Sequence, residues 1–402
     1  MSASAGAPRV DREWAGYGLD FWLVFIASFA VWLAANLFVF FPVFVVRIGG
    51  GAAQIGAIVG VGALAALAAR PGLVPLLEWR GRRAVALWSL VLEGLAIALY
   101  LPIHSLGWPI YAVRILQGAV DGTARAALFA MIFDVIPRGR RGAAMALFSL
   151  SGQGPAALGP PIGEALLKYF GFEIFFCVAA LLCLVAAIAT VMLPGGGDAG
   201  GEPEQDSAAV AVEGYRALLF DRKLAPLWVV AFAFAFAVAA RLSFVAPFAY
   251  EKDIAQVGWY FALYSGIAVV LRLFGGSVLD RVGVERILGP SMGLLGIGVA
   301  VLALTGRSGA LLSAAVLGGV GHSYAYPALG AMIITHTPAE EFGRSSVVYT
   351  SLYDCGSMLA PYMLGVLATL WGYGPMFAVA GLVTIATGVY FDAFERREAR
   401  FS

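Results

Sequence analysis

Three ionisable residues share one face of a long apolar segment, Trp108 to Met131. They belong to the series Arg114, Gln117, Gly118, Asp121 and Arg125. At about 100° per residue, these five positions fall within roughly 100° of arc on a helix. A charged side chain at mid-membrane costs about 2.5 to 10 kcal/mol, so three of them on one face favour a polar path. Asp121 would then exchange a proton while it pairs with Arg114 or Arg125. The alternative is that Asp121 and Arg125 only neutralise each other as an i, i+4 pair, which leaves Arg114 unexplained.

Two further polar groups lie in apolar segments towards the C-terminus. His322 stands in a stretch with Tyr324 and Tyr326, and histidine is the side chain most easily charged near neutral pH. It could relay protons, or stay neutral and hydrogen-bonded. Asp354 follows Tyr353 in another apolar segment, where it could bind a proton or a substrate cation, or simply pair with a neighbouring helix.

The composition places these residues in a membrane protein. Of 402 residues, 61% are hydrophobic and 13% charged, against about a quarter charged in an ordinary soluble domain. Runs of roughly 20 apolar residues, each long enough to cross a bilayer, recur down the whole chain. A net charge of +1 gives no indication of a nucleic-acid partner. The three cysteines fall in apolar segments, and neither a metal-spaced His or Cys cluster nor a cofactor motif is present, so we expect no metal and no cofactor.

The apolar runs predict an all-α protein with twelve membrane-spanning helices. In order, spans 1 to 12 are predicted at roughly 19–46, 52–69, 84–101, 108–132, 142–167, 172–193, 224–248, 257–279, 286–305, 309–334, 345–369 and 373–393. With the N-terminus inside, 18 of the 26 Lys and Arg residues are cytoplasmic, four are external and four are intramembrane. By the positive-inside rule, both termini are expected in the cytoplasm and the protein in the plasma (cell inner) membrane.

A polar, glycine-rich linker divides the twelve spans into six and six. We predict an N-terminal tail at 1–18, a six-helix bundle at 19–193, a linker at 194–223, a second bundle at 224–393 and a tail at 394–402. The halves look alike: Gly171 recurs 201 residues later as Gly372, and Asn36 in span 1 corresponds to Arg241 in span 7. Such self-similarity indicates a duplicated unit.

At this point the chain resembles the major facilitator superfamily over essentially its whole length. The loop after span 8 is similar to the family's G-x-x-x-D-R-x-G motif and contains Gly276, Asp280, Arg281 and Gly283. A degraded copy after span 2 contains Glu78, Arg80, Gly81 and Arg82. The resemblance implies that the acids contact helix ends across the two halves. The arginines of the degraded copy after span 2 could instead serve only to set topology.

Two further motifs extend the resemblance. Span 4 matches the R-x-x-Q-G motif at Arg114 to Gly118, and span 5 contains Gly159, Pro160 and Gly163, similar to an element associated with exporters. In that element Glu164 replaces the final glycine. A proline bends a membrane helix, so this stretch would let span 5 slide against the other half.

The resemblance also implies that spans 1, 4, 7 and 10 line a central cavity. The residues expected to bind substrate are Asn36, Gln117, Arg241, Tyr324, Tyr326 and Tyr353. Arg241 could instead reach outward to an external acid. Glu93 in span 3, a span often peripheral to the cavity, could be a neutral acid facing lipid, and Arg272 in span 8 is expected to be structural.

These observations lead to a secondary active transporter with alternating access, in which protons drive export of a small amphipathic organic molecule. Uptake or facilitated passage of an organic anion is the alternative within transport. A receptor or assembly factor that keeps the fold without turnover is the alternative of another class, and an enzyme is not expected. The partners would be a small-molecule substrate, protons and the lipid bilayer, with no nucleic acid, and we expect a monomer.

Overall fold

The computed structural model describes residues 17–136, 141–193, 218–221, 223–274, 276–304, 308–338 and 341–401. Within these ranges the chain is helical, without strands, and its helices form the twelve spans of two six-helix bundles. Most of the predicted linker lies outside the described residues. In a bilayer, helices satisfy every backbone polar group internally, which explains why so apolar a chain adopts only this element.

The first half contains spans 1 to 6. Span 1 consists of the helix Leu19–Leu37, a 3-10 turn at Phe38–Phe40 and the helix Phe41–Arg47, and spans 2, 3 and 4 are Ala52–Arg80, Arg82–Ala98 and Trp108–Val135. Spans 5 and 6 form the continuous segment Arg141–Val191, which breaks at Gly171 with φ of 77°.

The second half repeats this order. Its helices are span 7 at Ala225–Glu251, span 8 at Val257–Phe274 with a short helix at Gly276–Val282, span 9 at Val284–Val301 with a 3-10 turn at Leu302–Leu304, span 10 at Ser308–His336, span 11 at Phe342–Trp371 and span 12 at Tyr373–Phe401.

Length and hydropathy mark six helical segments of the described chain as membrane spans on their own. They are Leu19–Arg47, Ala52–Leu73, Leu147–Val191, Ala225–Glu251, Val284–Leu304 and Tyr373–Arg397. Large apolar side chains on their outer surface, such as Leu181, Leu184 and Ile188 of span 6, are exposed in the isolated chain. Lipid tails would cover such a surface.

Two predicted boundaries are corrected by the structure. Span 2 continues to Arg80, well past residue 69, and span 12 continues to Phe401. Pro71 and Pro75 lie inside span 2, because a proline removes one hydrogen bond and bends a membrane helix without ending it. As a result Arg70, which the sequence places in a loop, lies on a helix.

Four glycines with positive φ reflect the duplication. Gly81 and Gly283 precede spans 3 and 9 with φ of 78° and 89°, and Gly171 and Gly372 precede spans 6 and 12 with φ of 77° and 85°. Glycine is favoured here because it has no Cβ to clash in the left-handed region. Equivalent turns at equivalent places support the predicted pairing of Gly171 with Gly372.

The two halves meet along two seams, between spans 2 and 11 and between spans 5 and 8. Since the number of spans is even, span 1 begins and span 12 ends on the same side, which we call the terminal side, and Arg47, Ala52 and Trp371 lie at the opposite side. The candidate site lies between the halves, alongside the first seam.

Candidate functional site

A cavity of about 880 Å³ lies between the halves and is lined by spans 1, 2, 4, 5, 7 and 11. Its polar lining residues are Ser28, Trp32, Arg70, Arg114, Gln117, Asp121, Thr123, Arg125, Ser243, Thr350, Tyr353, Asp354 and Ser357. The polar face that periodicity predicts for span 4 therefore borders an open space rather than lipid.

Asp121 and Arg125 form a bidentate ion pair on the cavity wall. Both terminal guanidinium nitrogens of Arg125 donate to the two carboxylate oxygens of Asp121, and each side chain remains about one-fifth to one-quarter exposed. The guanidinium also lies 4.8 Å from the ring centroid of Trp32 in span 1. Because the pair is reachable from the cavity, a proton or a substrate group can compete for either member.

Arg114 is held separately, closer to the opposite side. It donates to Gln117 Oε1 at 2.8 Å, and the Tyr100 hydroxyl donates to the same oxygen at 2.9 Å. Its guanidinium lies 5.0 Å from the Phe41 ring centroid. The predicted pairing of Asp121 with Arg114 is therefore corrected: of the two arginines only Arg125 bonds to Asp121, since Arg114 is nearly two helical turns away along the axis.

Gly118 brings spans 2 and 4 into close contact beside Arg114. A Cβ at Gly118 would lie 2.1 Å from the Gly62 carbonyl oxygen, and a Cβ at Gly62 would lie 2.7 Å from Arg114 Nε. The glycine of the R-x-x-Q-G motif thus has a packing reason, because small residues allow membrane helices to approach closely.

An ion pair between Arg70 and Asp354 joins span 2 of the first half to span 11 of the second. The Asp354 side chain is 22% exposed and the Arg70 side chain 52%, so the pair borders the cavity. Sequence reasoning missed Arg70. The continuing apolar run Leu73, Leu76 and Leu77 was the signal that span 2 extends through the prolines.

A second cavity of about 390 Å³ adjoins the first and shares Arg70, Thr350, Tyr353 and Asp354 with it. Its other lining residues are Arg272, His322, Tyr326 and Tyr349. His322 is stacked parallel to Tyr326, with ring centroids 6.3 Å apart, and Arg272 lies 5.4 Å from the same tyrosine ring. Arg272, which is predicted from the sequence to be structural, therefore lines this second cavity.

The first seam between the halves is closed at the opposite side. The Ala53 N–H of span 2 donates to Thr369 Oγ1 of span 11 at 3.0 Å. A Cβ at Gly56 would lie 2.1 Å from the Pro361 carbonyl oxygen, so the two helices are in backbone contact. Solute cannot pass between these helices in this conformation.

The second seam is closed by Glu164 of span 5. Its carboxylate accepts hydrogen bonds from the backbone N–H groups of Val257 at 3.0 Å and Gly258 at 2.9 Å, at the N-terminus of span 8. A carboxylate there also favours the positive end of the helix dipole. Gly258 lies against the backbone of Pro160 and Pro161, where a Cβ would lie 2.7 Å from Pro161 Cα. Glu164, the residue that departs from the exporter-associated element, thus connects the two halves through these hydrogen bonds.

The central cavity extends towards the terminal side. Its lining includes Leu73, Phe129 and Phe148, which lie about two helical turns from the terminal-side ends of spans 2, 4 and 5. With both seams closed at the opposite side, the arrangement is a chamber between two halves that is accessible from one side. Such a chamber is the geometry of alternating access.

Comparison with known proteins identifies the family. The model of the Major Facilitator Superfamily matches residues 21–255 and 249–400. The chain belongs to the Major Facilitator Superfamily. It is therefore a multi-pass integral membrane transport protein rather than an enzyme, as the sequence motifs predict.

Individual members of the superfamily resemble the chain at low identity. The multidrug resistance protein MdtG of Serratia proteamaculans (strain 568) is 26% identical over 342 residues, covering 81% of this chain and 80% of that protein. The uncharacterized MFS-type transporter YhhS of Escherichia coli (strain K12) is 25% identical over 242 residues, covering 58% and 55%.

Solved structures of the superfamily share the fold. The crystal structure of the nucleoside transporter NupG has a TM-score of 0.79 at 12% identity and covers 93% of this chain and 98% of that one. The peptide transporter POT in complex with sulfate has a TM-score of 0.76 at 17% identity and covers 97% and 96%. At this identity they establish the architecture and no more.

Three of the residues expected to bind substrate in this superfamily member do not line either cavity. Arg241 is buried against span 8, with its guanidinium 4.0 Å from the Tyr264 ring centroid and 5.3 Å from that of Phe261. It lies about 200° around the helix from Ala239, which does line the cavity. The expectation that Arg241 faces the cavity is corrected, and so is the alternative that it reaches outward to an external acid.

Asn36 and Tyr324 also lie outside the lining of both cavities. The Asn36 amide donates to the Trp32 carbonyl oxygen at 2.8 Å, and a Cβ at Gly159 of span 5 would lie 2.7 Å from Asn36 Cβ. Tyr324 is about 200° around span 10 from His322 and Tyr326. Gln117, Tyr326 and Tyr353, by contrast, line the two cavities, and their binding of substrate stays a prediction.

The motif loops lie on the terminal side. Gly81 and Gly283 supply the turns described above, while Arg82 donates to Asp134 Oδ1 of span 4 at 2.6 Å within the same half. Arg80 lies 4.1 Å from the Trp79 ring centroid, and Arg281 is exposed. The side chains of Glu78 and Asp280 and the surroundings of Gly276 lie outside what the structure describes, so the predicted contacts of the two acids stay predictions.

Proposed function

We propose that the chain is a secondary active transporter that exports a small amphipathic organic molecule in exchange for protons. The observation that carries this proposal is the Asp121–Arg125 ion pair on the wall of a chamber between two halves. In the proposed setting, the protein lies in the plasma (inner) membrane with both termini in the cytoplasm, so that the chamber is accessible from the cytoplasm.

The coupling follows from competition for the ion pair. When a proton binds Asp121, the carboxyl group loses its charge, and the Arg125 guanidinium loses its strongest partner. The guanidinium then turns towards the chamber or the Trp32 ring, which lies close enough for a cation–π contact. Substrate and proton thereby favour different states of one pair, and such differential affinity is what alternating access requires.

The apolar and aromatic lining supports an amphipathic substrate. The chamber is bordered by Trp32, Phe129, Phe148 and Tyr353, which offer stacking surfaces beside the two ion pairs. The relatives named multidrug resistance protein MdtG agree with export but do not specify the substrate. Asp354 and His322 are the remaining candidates for proton binding, and the relay role of His322 stays a prediction.

The test is proton-driven transport in proteoliposomes with ethidium as an amphipathic probe. Wild type should accumulate the probe in proportion to an imposed pH gradient. Asp121→Asn should retain downhill exchange of the probe but lose the response to the gradient. Asp134→Asn is the matched control, because Asp134 is an arginine-paired aspartate on the same span that does not line the chamber. Gradient-driven accumulation by Asp121→Asn equal to wild type would remove Asp121 from the coupling.

A second candidate function, transport of an organic anion, is favoured by the smaller cavity. Three of its lining side chains have buried polar atoms without a hydrogen-bond partner among the described residues: Arg272 Nε, His322 Nδ1 and Tyr349 Oη. All three can donate to an anionic group. The one acid that lines this smaller cavity, Asp354, is paired with Arg70.

Counterflow of carboxyfluorescein, an anion, against ethidium, a cation, separates the two candidates. Anion transport predicts carboxyfluorescein exchange that Arg272→Gln reduces at least tenfold, since a charge-assisted hydrogen bond contributes about 1.5–3 kcal/mol. Arg286→Gln, an exposed arginine at the start of span 9, is the matched control. Exchange of ethidium but not of carboxyfluorescein would exclude the anion candidate.

A further inference from the structure

Glu93 of span 3 is a carboxyl group in the interior of the first half that the mechanism above does not use. Its side chain is 1% exposed, on a face of span 3 that packs against spans 4 and 6. The neighbouring Gly94 is in close contact with span 6, where a Cβ would lie 3.4 Å from Cys183 Cβ. The possibility that Glu93 faces lipid is therefore corrected.

The groups that face Glu93 are Asp121 and Arg125 on span 4 and Cys183 on span 6. The Glu93 carboxyl lies within hydrogen-bonding reach of Asp121, and Glu93 Oε2 has no hydrogen-bond partner among the described residues. The other charged residues of span 3 are engaged at its terminal-side end: Arg82 donates to Asp134, and Arg83 donates to the carbonyl oxygens of Thr190 and Val191.

The two carboxyl groups thus have only one guanidinium group, that of Arg125, beside them in the described part of the chain. Both terminal nitrogens of Arg125 donate to Asp121, which leaves Glu93 with no cation of its own in the described part of the chain. An unpaired carboxylate away from water is costly, and two carboxylates in contact repel each other. Acids in this arrangement share a proton, as the paired aspartates of aspartic proteases do.

We propose that Glu93 and Asp121 form a carboxylic acid–carboxylate pair that holds one proton, with Glu93 as its buried member and Asp121 as its member facing the chamber. In the resting state one proton lies between the two groups and Arg125 neutralises the remaining charge. A second proton, arriving from the chamber at Asp121, converts both groups to neutral acids and releases Arg125. Loss of that proton restores the ion pair. The proton site therefore extends from the cavity wall into span 3.

The role of this pair in coupling rests on the proposed function, whereas its proton content does not. The test measures the proton itself, by infrared spectroscopy of the full-length protein in lipid nanodiscs at neutral pH. Wild type should show the C=O stretching band of a protonated carboxyl group. Glu93→Gln should lose this band, because the remaining Asp121 is neutralised by Arg125. The band should stay, shifted in frequency, in Glu93→Asp.

Two further variants keep the test decisive if Glu93→Gln does not fold. Arg125→Gln removes the shared cation, so both groups should be protonated and the band should increase about twofold. Glu173→Gln, an exposed acid at the start of span 6, should leave the band unchanged. Three results would each overturn the shared proton. They are the absence of the band in wild type, its persistence in folded Glu93→Gln, and an unchanged intensity in Arg125→Gln.

Ethidium transport measured on the same preparations distinguishes this inference from the proposed function. A wild type that shows the band but no gradient-driven transport would refute proton coupling, while the proton shared by Glu93 and Asp121 would still be supported. A folded Glu93→Gln that loses the band yet keeps full gradient-driven transport would refute the role of Glu93 in coupling. We expect it instead to lose gradient-driven accumulation at least tenfold and to retain downhill exchange.

Discussion

Glu164 of span 5 caps the N-terminus of span 8 by accepting two backbone hydrogen bonds, one of them from Gly258. These bonds cross between the two halves at the side opposite the terminal side. Together with the contact between spans 2 and 11, it closes that side of the chamber. In the proposed alternating access this contact must break and re-form, so its strength would set the balance between the two accessible states.

Weakening the cap should open the opposite side. Glu164→Gln removes the charge and one acceptor oxygen, and charge-assisted hydrogen bonds contribute about 1.5–3 kcal/mol. The ratio of closed to open molecules at that side should fall roughly tenfold. Double electron–electron resonance between labels at Lys168→Cys and Lys252→Cys, in a background without the native cysteines, should show a longer-distance population.

Glu173→Gln serves as the control for that measurement, because Glu173 is exposed in span 6 of the first half. It should leave the distance distribution as in wild type. An unchanged distribution in Glu164→Gln would mean that the seam between spans 2 and 11 alone closes this side.

Substitution of Gly118 should destabilise the protein more than substitution of Gly122. In Gly118→Ala the new Cβ would lie 2.1 Å from the Gly62 carbonyl oxygen, a backbone atom that cannot move aside freely. Overpacking of this kind costs about 1–3 kcal/mol. In Gly122→Ala the Cβ would lie at an ordinary 3.6 Å from the Ala66 Cβ. Thermal melting in detergent should show a lower melting temperature for the first variant only.

Gly62→Ala should affect Arg114 rather than the fold. Here the new Cβ would lie 2.7 Å from Arg114 Nε, part of a flexible side chain that can shift. We expect a melting temperature close to that of wild type and a several-fold change in the apparent affinity for transported ethidium. A large loss of thermal stability without any change in affinity would contradict this assignment.

The Arg70–Asp354 pair should matter more for transport than for stability. Because the Arg70 side chain is about half exposed, solvent screening limits its contribution to the free energy of unfolding to about 1 kcal/mol or less. Arg70→Gln should therefore change the melting temperature little and alter the rate of exchange. The exchanged pair Arg70→Asp with Asp354→Arg should recover part of the lost rate, and a double variant no faster than the slower single variant would show that the two residues act separately.

Arg241→Met should leave transport unaffected. The methionine retains much of the volume that fills the space beside Tyr264 and Phe261, and replacing a buried charge by an apolar side chain of similar size is often neutral for stability. The concentration dependence of ethidium exchange should match that of wild type. A tenfold weaker apparent affinity in a stably folded variant would show that Arg241 reaches substrate in another conformation.

Properties that depend on neighbours along the chain could be predicted from the sequence. The apolar runs predicted the twelve spans, and the glycines at equivalent positions predicted the duplication that the turns at Gly171 and Gly372 support. The polar face of span 4 was predictable because Asp121 and Arg125 lie one turn apart on the same helix, whatever surrounds it. The family followed from its motifs and is confirmed by the family match.

Other properties were decided only by the tertiary structure, because they depend on how each helix is rotated about its axis and on which distant segment lies beside it. Arg241 and Asn36 occupy equivalent places in the two halves, yet Arg241 packs against span 8, Asn36 packs against span 5, and neither lines the chamber. No local pattern brings Arg70 to Asp354, Glu164 to the start of span 8, or Glu93 to Asp121. The sequence by itself determined which residues are too polar for lipid, whereas packing between spans far apart in the chain determined the partner that each of them has.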